Sequence, residues 1–253
     1  MKKIFCCWLV LLAFTKGYCQ EESKHVETDR PNEAEVPYTV PRKMFQLETG
    51  VRIQNESGSK HTVSHPVLLV KYGLADWIEL RAKSSYATEY KRYIPHTIVS
   101  SGLQPLELGI KAAVLKEKHW IPKTAFLLQT GLPRISSGAF KATHLAPTLR
   151  LLMENNITEK ISFNYNVGAE WDGYETRPEW MYAFVPGIDI SEHVQLFAEY
   201  YSFFQQAETP EHTLDGGIEY FIGKNIGLDI CSGFGLNKAA PPFFFTVGGS
   251  VRF

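Results

Sequence analysis

From Phe45 to the C-terminus, apolar and polar residues alternate with a period of two, over runs of about ten residues broken by Gly, Pro, Asn and charged clusters. A period of two places successive side chains on opposite faces of an extended strand, so the chain is committed to β-structure with two chemically different faces. Twelve such runs can be read: 44–55, 61–74, 77–90, 105–115, 122–131, 142–154, 160–171, 179–190, 194–204, 212–222, 226–236 and 243–253. In the cleanest of them Ile161, Phe163, Tyr165, Val167, Ala169 and Trp171 share one face, while Ser162, Asn164, Asn166, Gly168 and Glu170 share the other. No amphipathic helix pattern remains.

Residues 1–19 read as a secretory signal peptide. Lys2 and Lys3 precede the apolar run Ile4 to Phe14, and Gly17 and Cys19 sit where a signal peptidase expects small residues. A lipoprotein anchor at Cys19 is the lesser reading, because Tyr18 is not small. Without the leader's three lysines, 23 basic residues face 27 acidic ones, a formal charge near −4, which gives no footprint for nucleic acid. Cys6, Cys7 and Cys19 belong to the leader, so Cys231 has no partner for an internal disulfide. Residues 20–43 are polar, acidic and interrupted by Pro31, Pro37 and Pro41, and they read as an extended arm or plug ahead of a barrel at 44–253.

No mature segment approaches the roughly 18 consecutive apolar residues of a membrane helix, so the exported chain is either a soluble sandwich or a membrane barrel. Three features favour the barrel. Short connections alternate with longer ones, as periplasmic turns alternate with external loops. Trp77, Trp120, Trp171 and Trp180 lie at or just beyond run ends, where aromatic girdles belong. The chain also ends on Phe253 at the close of a run, like a terminal aromatic read by barrel-assembly machinery. The expected architecture is all-β: a transmembrane antiparallel up-and-down β-barrel of about 12 strands with a short N-terminal arm, in the bacterial outer membrane and surrounded by its lipid. A periplasmic or secreted sandwich is the alternative.

The segments Glu27-Thr28-Asp29-Arg30-Pro31, Val40-Pro41, Gln46-Leu47-Glu48-Thr49-Gly50 and Tyr72-Gly73-Leu74-Ala75-Asp76-Trp77-Ile78-Glu79-Leu80-Arg81 together resemble the outer-membrane transporter-like family labelled for the MetA pathway of phenol degradation. These motifs span about a quarter of the chain, and the strand-turn-strand around Asp76 is the most distinctive. The resemblance implies an outer-membrane barrel that passes small, sometimes aromatic, organic molecules. It brings no catalytic residues.

If the apolar faces meet lipid, the polar faces line a lumen. The first six runs then direct Glu48, Arg52, Lys71, Glu79, Arg81, Lys83, Glu107, Lys111 and Arg150 inward. The last six direct Glu170, Asp189, Glu199, Asp215, Glu219 and Asp229 inward, opposed only by Arg252. A mainly basic wall thus faces a mainly acidic one across a pore, unless the charges pair into a network that fills it. The aromatic candidates Phe197, Tyr201, Phe203, Phe221 and Phe244 offer a stacking surface to a solute, or else face lipid if the register slips by one. Arg30 of the arm is placed to meet the acidic wall, if the arm enters the mouth rather than trailing as a leader.

Enzyme readings find little purchase. His61 and His65 have a helical metal-ligand spacing, but in a strand four residues span about 13 Å, too far for one ion. No G-x-S-x-G elbow, phosphate loop or dinucleotide fingerprint occurs. His96 and His144 fall in or beside expected external loops, around 91–104 and 131–141, and leave a rim hydrolase as a distant alternative. Cys231 is expected on the lumen face beside Asp229 and Gly233. The sequence therefore points to a passive channel for a small organic solute, without cofactor, with a closed structural or binding barrel as the first rival.

Overall fold

The computed structural model describes residues 24–56 and 59–253; the leader assigned to 1–19 lies outside the described residues. Thirteen strands follow the arm: β1 Phe45–Asn55, β2 Lys60–Ala75, β3 Ile78–Tyr93, β4 His96–Leu103, β5 Leu106–Leu115, β6 Lys123–Leu132, β7 Ala146–Asn156, β8 Ile161–Glu170, β9 Glu179–Asp189, β10 Val194–Phe204, β11 Glu211–Ile222, β12 Ile226–Gly235 and β13 Phe243–Arg252. Neighbours pair antiparallel, and β1 pairs β13 from Gln46↔Arg252 to Asn55↔Phe243, so the sheet closes on itself. Closure removes the open edges that a membrane-embedded sheet cannot leave unpaired. Phe253 completes the seam: its N–H donates to the Phe45 carbonyl at 2.9 Å, and its carbonyl accepts the Phe45 N–H at 2.8 Å.

The thirteenth strand corrects one expectation. Residues 91–104, read as an external loop, are the tip of β3 and the whole of β4, turning at Ile94-Pro95. One edge of β3 pairs β5 over 78–83 and β4 over 86–93, so β4 and β5 form one barrel strand interrupted at Gln104-Pro105. The alternation fails there because Tyr93, Ile94, Ile98 and Val99 are all exposed, leaving no buried face to impose a period. Pro66 inside β2 is accommodated in the same way, at a register shift between Ser64 and Val67 where the ladder is already broken.

The burial pattern decides between barrel and sandwich. Glu48, Glu79, Lys111 and Glu199 are 0% exposed, whereas Val247, Ile230, Ile218 and Leu128 are 44–48% exposed along the outer face. Charge inside and hydrocarbon outside is the reverse of a soluble sandwich and is what lipid demands. Trp77 and Trp120 are exposed at the end with short turns, the periplasmic end of such barrels, and Trp180 is exposed at the other. Trp171 departs from the girdle expectation, since it turns off the end of β8 and lines the lumen mouth.

Candidate functional site in the barrel lumen

The lumen is occupied by the arm. Lys24 donates to the Glu159 carbonyl at the β7–β8 turn, and Thr39 donates to the Asp76 carbonyl at the β2–β3 turn, both at the periplasmic end. Between these points the chain runs through the lumen, where the Arg30 guanidinium meets Thr246 at 2.9 Å and the Glu33 carboxylate meets Arg150 at 2.8 Å. The arm is thus a doubled-back loop that enters and leaves by one mouth. An irregular segment inside a barrel must satisfy its backbone from the wall, and wall side chains do this here. Glu48 accepts the Asp29 and Arg30 N–H groups at 3.1 Å, Glu199 accepts those of Glu33 and Ala34 at 2.8 and 2.7 Å, and Glu79 accepts that of Val40 at 2.9 Å. Asn166 accepts the Glu35 N–H at 2.8 Å, while Asn164 and Asn166 donate to the Glu35 carbonyl.

Side-chain charges sort by wall. Asp29 sits among Lys111 at 2.8 Å, Lys71 at 3.0 Å and Arg81 at 3.5 Å. Glu35 takes a two-pronged contact from Arg81, and Glu33 meets Arg150 at 2.8 Å, which also holds Glu170 at 2.8 Å. Arg30 crosses to the acidic wall and pairs with Asp229 at 3.0 Å. The basic wall therefore binds the arm's carboxylates, the acidic wall binds its cation, and acceptors on both walls hold its backbone. Buried ions are tolerable only when paired and hydrogen-bonded, which accounts for the density of contacts. The charges are matched through the arm rather than across an empty bore.

The other predicted positions complete this map. Lys71 pairs with Glu48, and Thr28 donates to Glu219 at 2.8 Å. Lys83 and Glu107 face each other in register, and Gln129 donates to Glu107. Asp189 accepts from Gln195 at 3.0 Å. Asp215 lies opposite Glu199 on the neighbouring strand, with the Glu199 carboxyl and the Cys231 thiol beside its own carboxyl. Arg52 makes no ion pair among the described residues; it donates to Gln54 and lies 4.2 Å above the Phe244 ring. Arg252 does not oppose the acidic wall but is tied to the periplasmic turn by the Lys224 carbonyl at 2.9 Å and the Asn225 side chain.

Phe197, Tyr201, Phe221 and Phe244 are buried and point inward. Phe197, Tyr201 and Phe244 pack with Met181, Ala183, Val185, Cys231 and Ala34 of the arm, with Phe203 alongside. Phe221 stacks on His25 of the arm at 3.6 Å between ring centroids. These aromatics pack beneath the arm, and Phe197 and Phe221 also line a cavity at the periplasmic end. His61 and His65 sit on β2 beside Asn55 and Thr88, His96 opens β4, and His144 falls on the β6–β7 connection. The residues that sequence reasoning missed are Glu33, Glu35 and Tyr38 on the arm and Asn164 and Asn166 on the wall. Asn164 and Asn166 were visible as the polar face of the cleanest run, but nothing in the period marks them as clamps for a backbone.

Open space remains beside the arm at both ends of the lumen. The periplasmic cavity, about 520 Å³, is lined by residues including Lys24, Tyr38, Glu154, Asp189 and Glu219. The outer one, about 490 Å³, is lined by residues including Arg52, Lys83, Glu107, Arg150 and Trp171. Both surround the arm, one on each side of its tip.

Solved structures share this architecture. An outer-membrane channel of the COG4313 group from Pseudomonas putida F1 has a TM-score of 0.67 at 11% identity, covering 88% of this chain and 99% of its own. The KdgM porin in complex with disordered oligogalacturonate scores 0.56 at 10% identity, covering 82% and 99%. The translocator domain of the autotransporter NalP from Neisseria meningitidis scores 0.52 at 10% identity, covering 99% and 96%. At these identities the likeness shows the fold, a bacterial outer-membrane β-barrel. No curated protein sequence matches the chain. A family model described as "Putative MetA-pathway of phenol degradation" matches residues 28–253, arm and barrel together, and the chain belongs to that family.

Proposed function

We propose that the protein is a passive outer-membrane channel for small organic solutes, aromatic ones among them, which diffuse past the arm. The observation that carries this reading is the pair of cavities, about 520 and 490 Å³, inside one closed barrel. Each is large enough for a ring-sized molecule, and their polar walls favour a wet path. The channel and porin among the structural relatives support the same class, and the family's description points towards aromatic solutes. The described chain offers no nucleotide-binding motif, so transport runs down a gradient. Lipid would cover the apolar outer face, and assembly machinery would read the strand ending in Phe253.

A second reading, a closed barrel with a structural or binding role, is favoured by how completely the arm is paired. Single-channel recording of the refolded mature protein, with and without residues 20–43, separates the two. Discrete ohmic steps that grow when the arm is deleted are the channel's outcome. Silence from both proteins, each shown to be folded, establishes the closed barrel.

A further inference from the structure

Asn32 stands apart from its neighbours at the arm's tip. Asp29, Arg30 and Glu33 are each held by the wall through ion pairs of 2.8–3.0 Å. Glu33 and Ala34 are also held through their backbone N–H groups on Glu199. Among the described residues the Asn32 side chain has no hydrogen-bond partner, and its Oδ1 is buried. An orphaned buried acceptor costs free energy, and unlike Arg81 and Arg150, whose orphaned Nε atoms belong to side chains anchored elsewhere, the Asn32 side chain has no other anchor. Among the described residues, Asn32 alone lines both the periplasmic and the outer cavity. The two cavities therefore approach each other at this side chain.

From this juxtaposition we infer that Asn32 is the size-determining gate of the permeation path. This rests on the channel reading and adds to it. The arm stays docked as a fixed constriction, and a single unanchored side chain sets the width between the cavities. Rotating Asn32 breaks no hydrogen bond, whereas withdrawing the arm breaks every ion pair just described. The path is thus gated at one rotamer, on a fast side-chain timescale. Solutes are sorted by width at this point, because the charges of Asp29, Arg30 and Glu33 on either side of Asn32 are already paired.

The test compares the full-length mature wild type with Asn32→Gly and Asn32→Trp in planar bilayers, with thermal unfolding as a check that the arm remains docked. The expected result is a rise in single-channel conductance of about twofold for Asn32→Gly and a fall of about fivefold for Asn32→Trp, without change in melting. Equal step sizes in all three folded proteins overturn the inference while leaving the channel reading intact. A second measurement does not depend on current. In a Cys231→Ser background, Asn32→Cys is treated with a small membrane-impermeant methanethiosulfonate reagent from one face or the other. Modification from both faces supports the assignment, whereas a silent bilayer from the folded wild type overturns the channel reading and the gate with it. Modification from one face only, or from neither, overturns the assignment.

Discussion

Asp29 Oδ1 lies 2.8 Å from Lys111 Nζ, joining the arm to β5 across 82 residues of chain, and Lys71 closes on the other oxygen at 3.0 Å. Asp29→Asn keeps the shape and removes the charge, leaving Lys71, Lys111 and Arg81 with only Glu35, Glu48 and Glu79 to offset them. Removing one partner from a buried ionic set costs about 3–5 kcal/mol. The expected outcome is a lower midpoint of denaturant unfolding and faster proteolysis within residues 24–43, read by cleavage on added protease. Raising the salt concentration on the wild type does not mimic the variant, because buried pairs are poorly screened. An unchanged cleavage rate in Asp29→Asn counts against the hub.

Arg30 needs two glycines beneath it. Gly50 and Gly248 face each other across the β1–β13 seam, and a Cβ on either would come within 3 Å of the Arg30 guanidinium and of neighbouring backbone carbonyls. Gly248→Ala is therefore expected to displace Arg30 from Asp229 and to strain the closing strand pair, at a cost of about 1–3 kcal/mol as an overpacking substitution. The companion variant Arg30→Ala relieves that clash. The double variant Arg30→Ala with Gly248→Ala should be less destabilised than the sum of the two singles, a coupling that a double-mutant cycle of unfolding free energies measures directly. Strict additivity would show that the glycine does not seat Arg30.

The inward aromatics should restrict flux rather than promote it. Phe197 and Tyr201 pack against Ala34 and Met181, so truncation opens space at the arm's tip instead of removing a stacking surface. Phe197→Ala is expected to cost about 3–5 kcal/mol if the site does not collapse, and to raise the flux of a neutral aromatic solute into proteoliposomes. A drop in that flux, with flux of an aliphatic solute of equal width unchanged, would restore the idea of a stacking path.

What was legible in the sequence follows from what imposes a period. Each barrel strand separates lipid from lumen, so runs such as 194–204 and 226–236 are read nearly to the residue. Beyond the rim, where Ile94 and Val99 are exposed, no such contrast exists, and the β3–β4 hairpin was invisible. The wall charges were legible for the same reason as the strands. Their partners were not, because the arm is irregular and its contacts are set by three-dimensional closure: Glu35 finds Asn166 across 131 residues with no local trace of it. Only Arg30 was readable in advance, as a lone cation near an acidic wall.

The outer face gives the last prediction, which separates lipid exposure from simple exposure. Ile230 on β12 lies between Ile218 on β11 and Val247 on β13, and all three are 44–46% exposed. In water such a patch would tolerate a charge at little cost. In hydrocarbon an arginine on the lipid face of a barrel costs about 2–4 kcal/mol near the midplane and close to nothing at the interfaces. Ile230→Arg is therefore expected to lower stability by about that amount in lipid vesicles. Ile226→Arg, at the periplasmic end of the same face, should cost much less. Urea titration of both variants refolded into vesicles reads the depth dependence. Equal costs at the two positions would contradict a membrane-spanning β12, and a steep difference locates the bilayer along that strand.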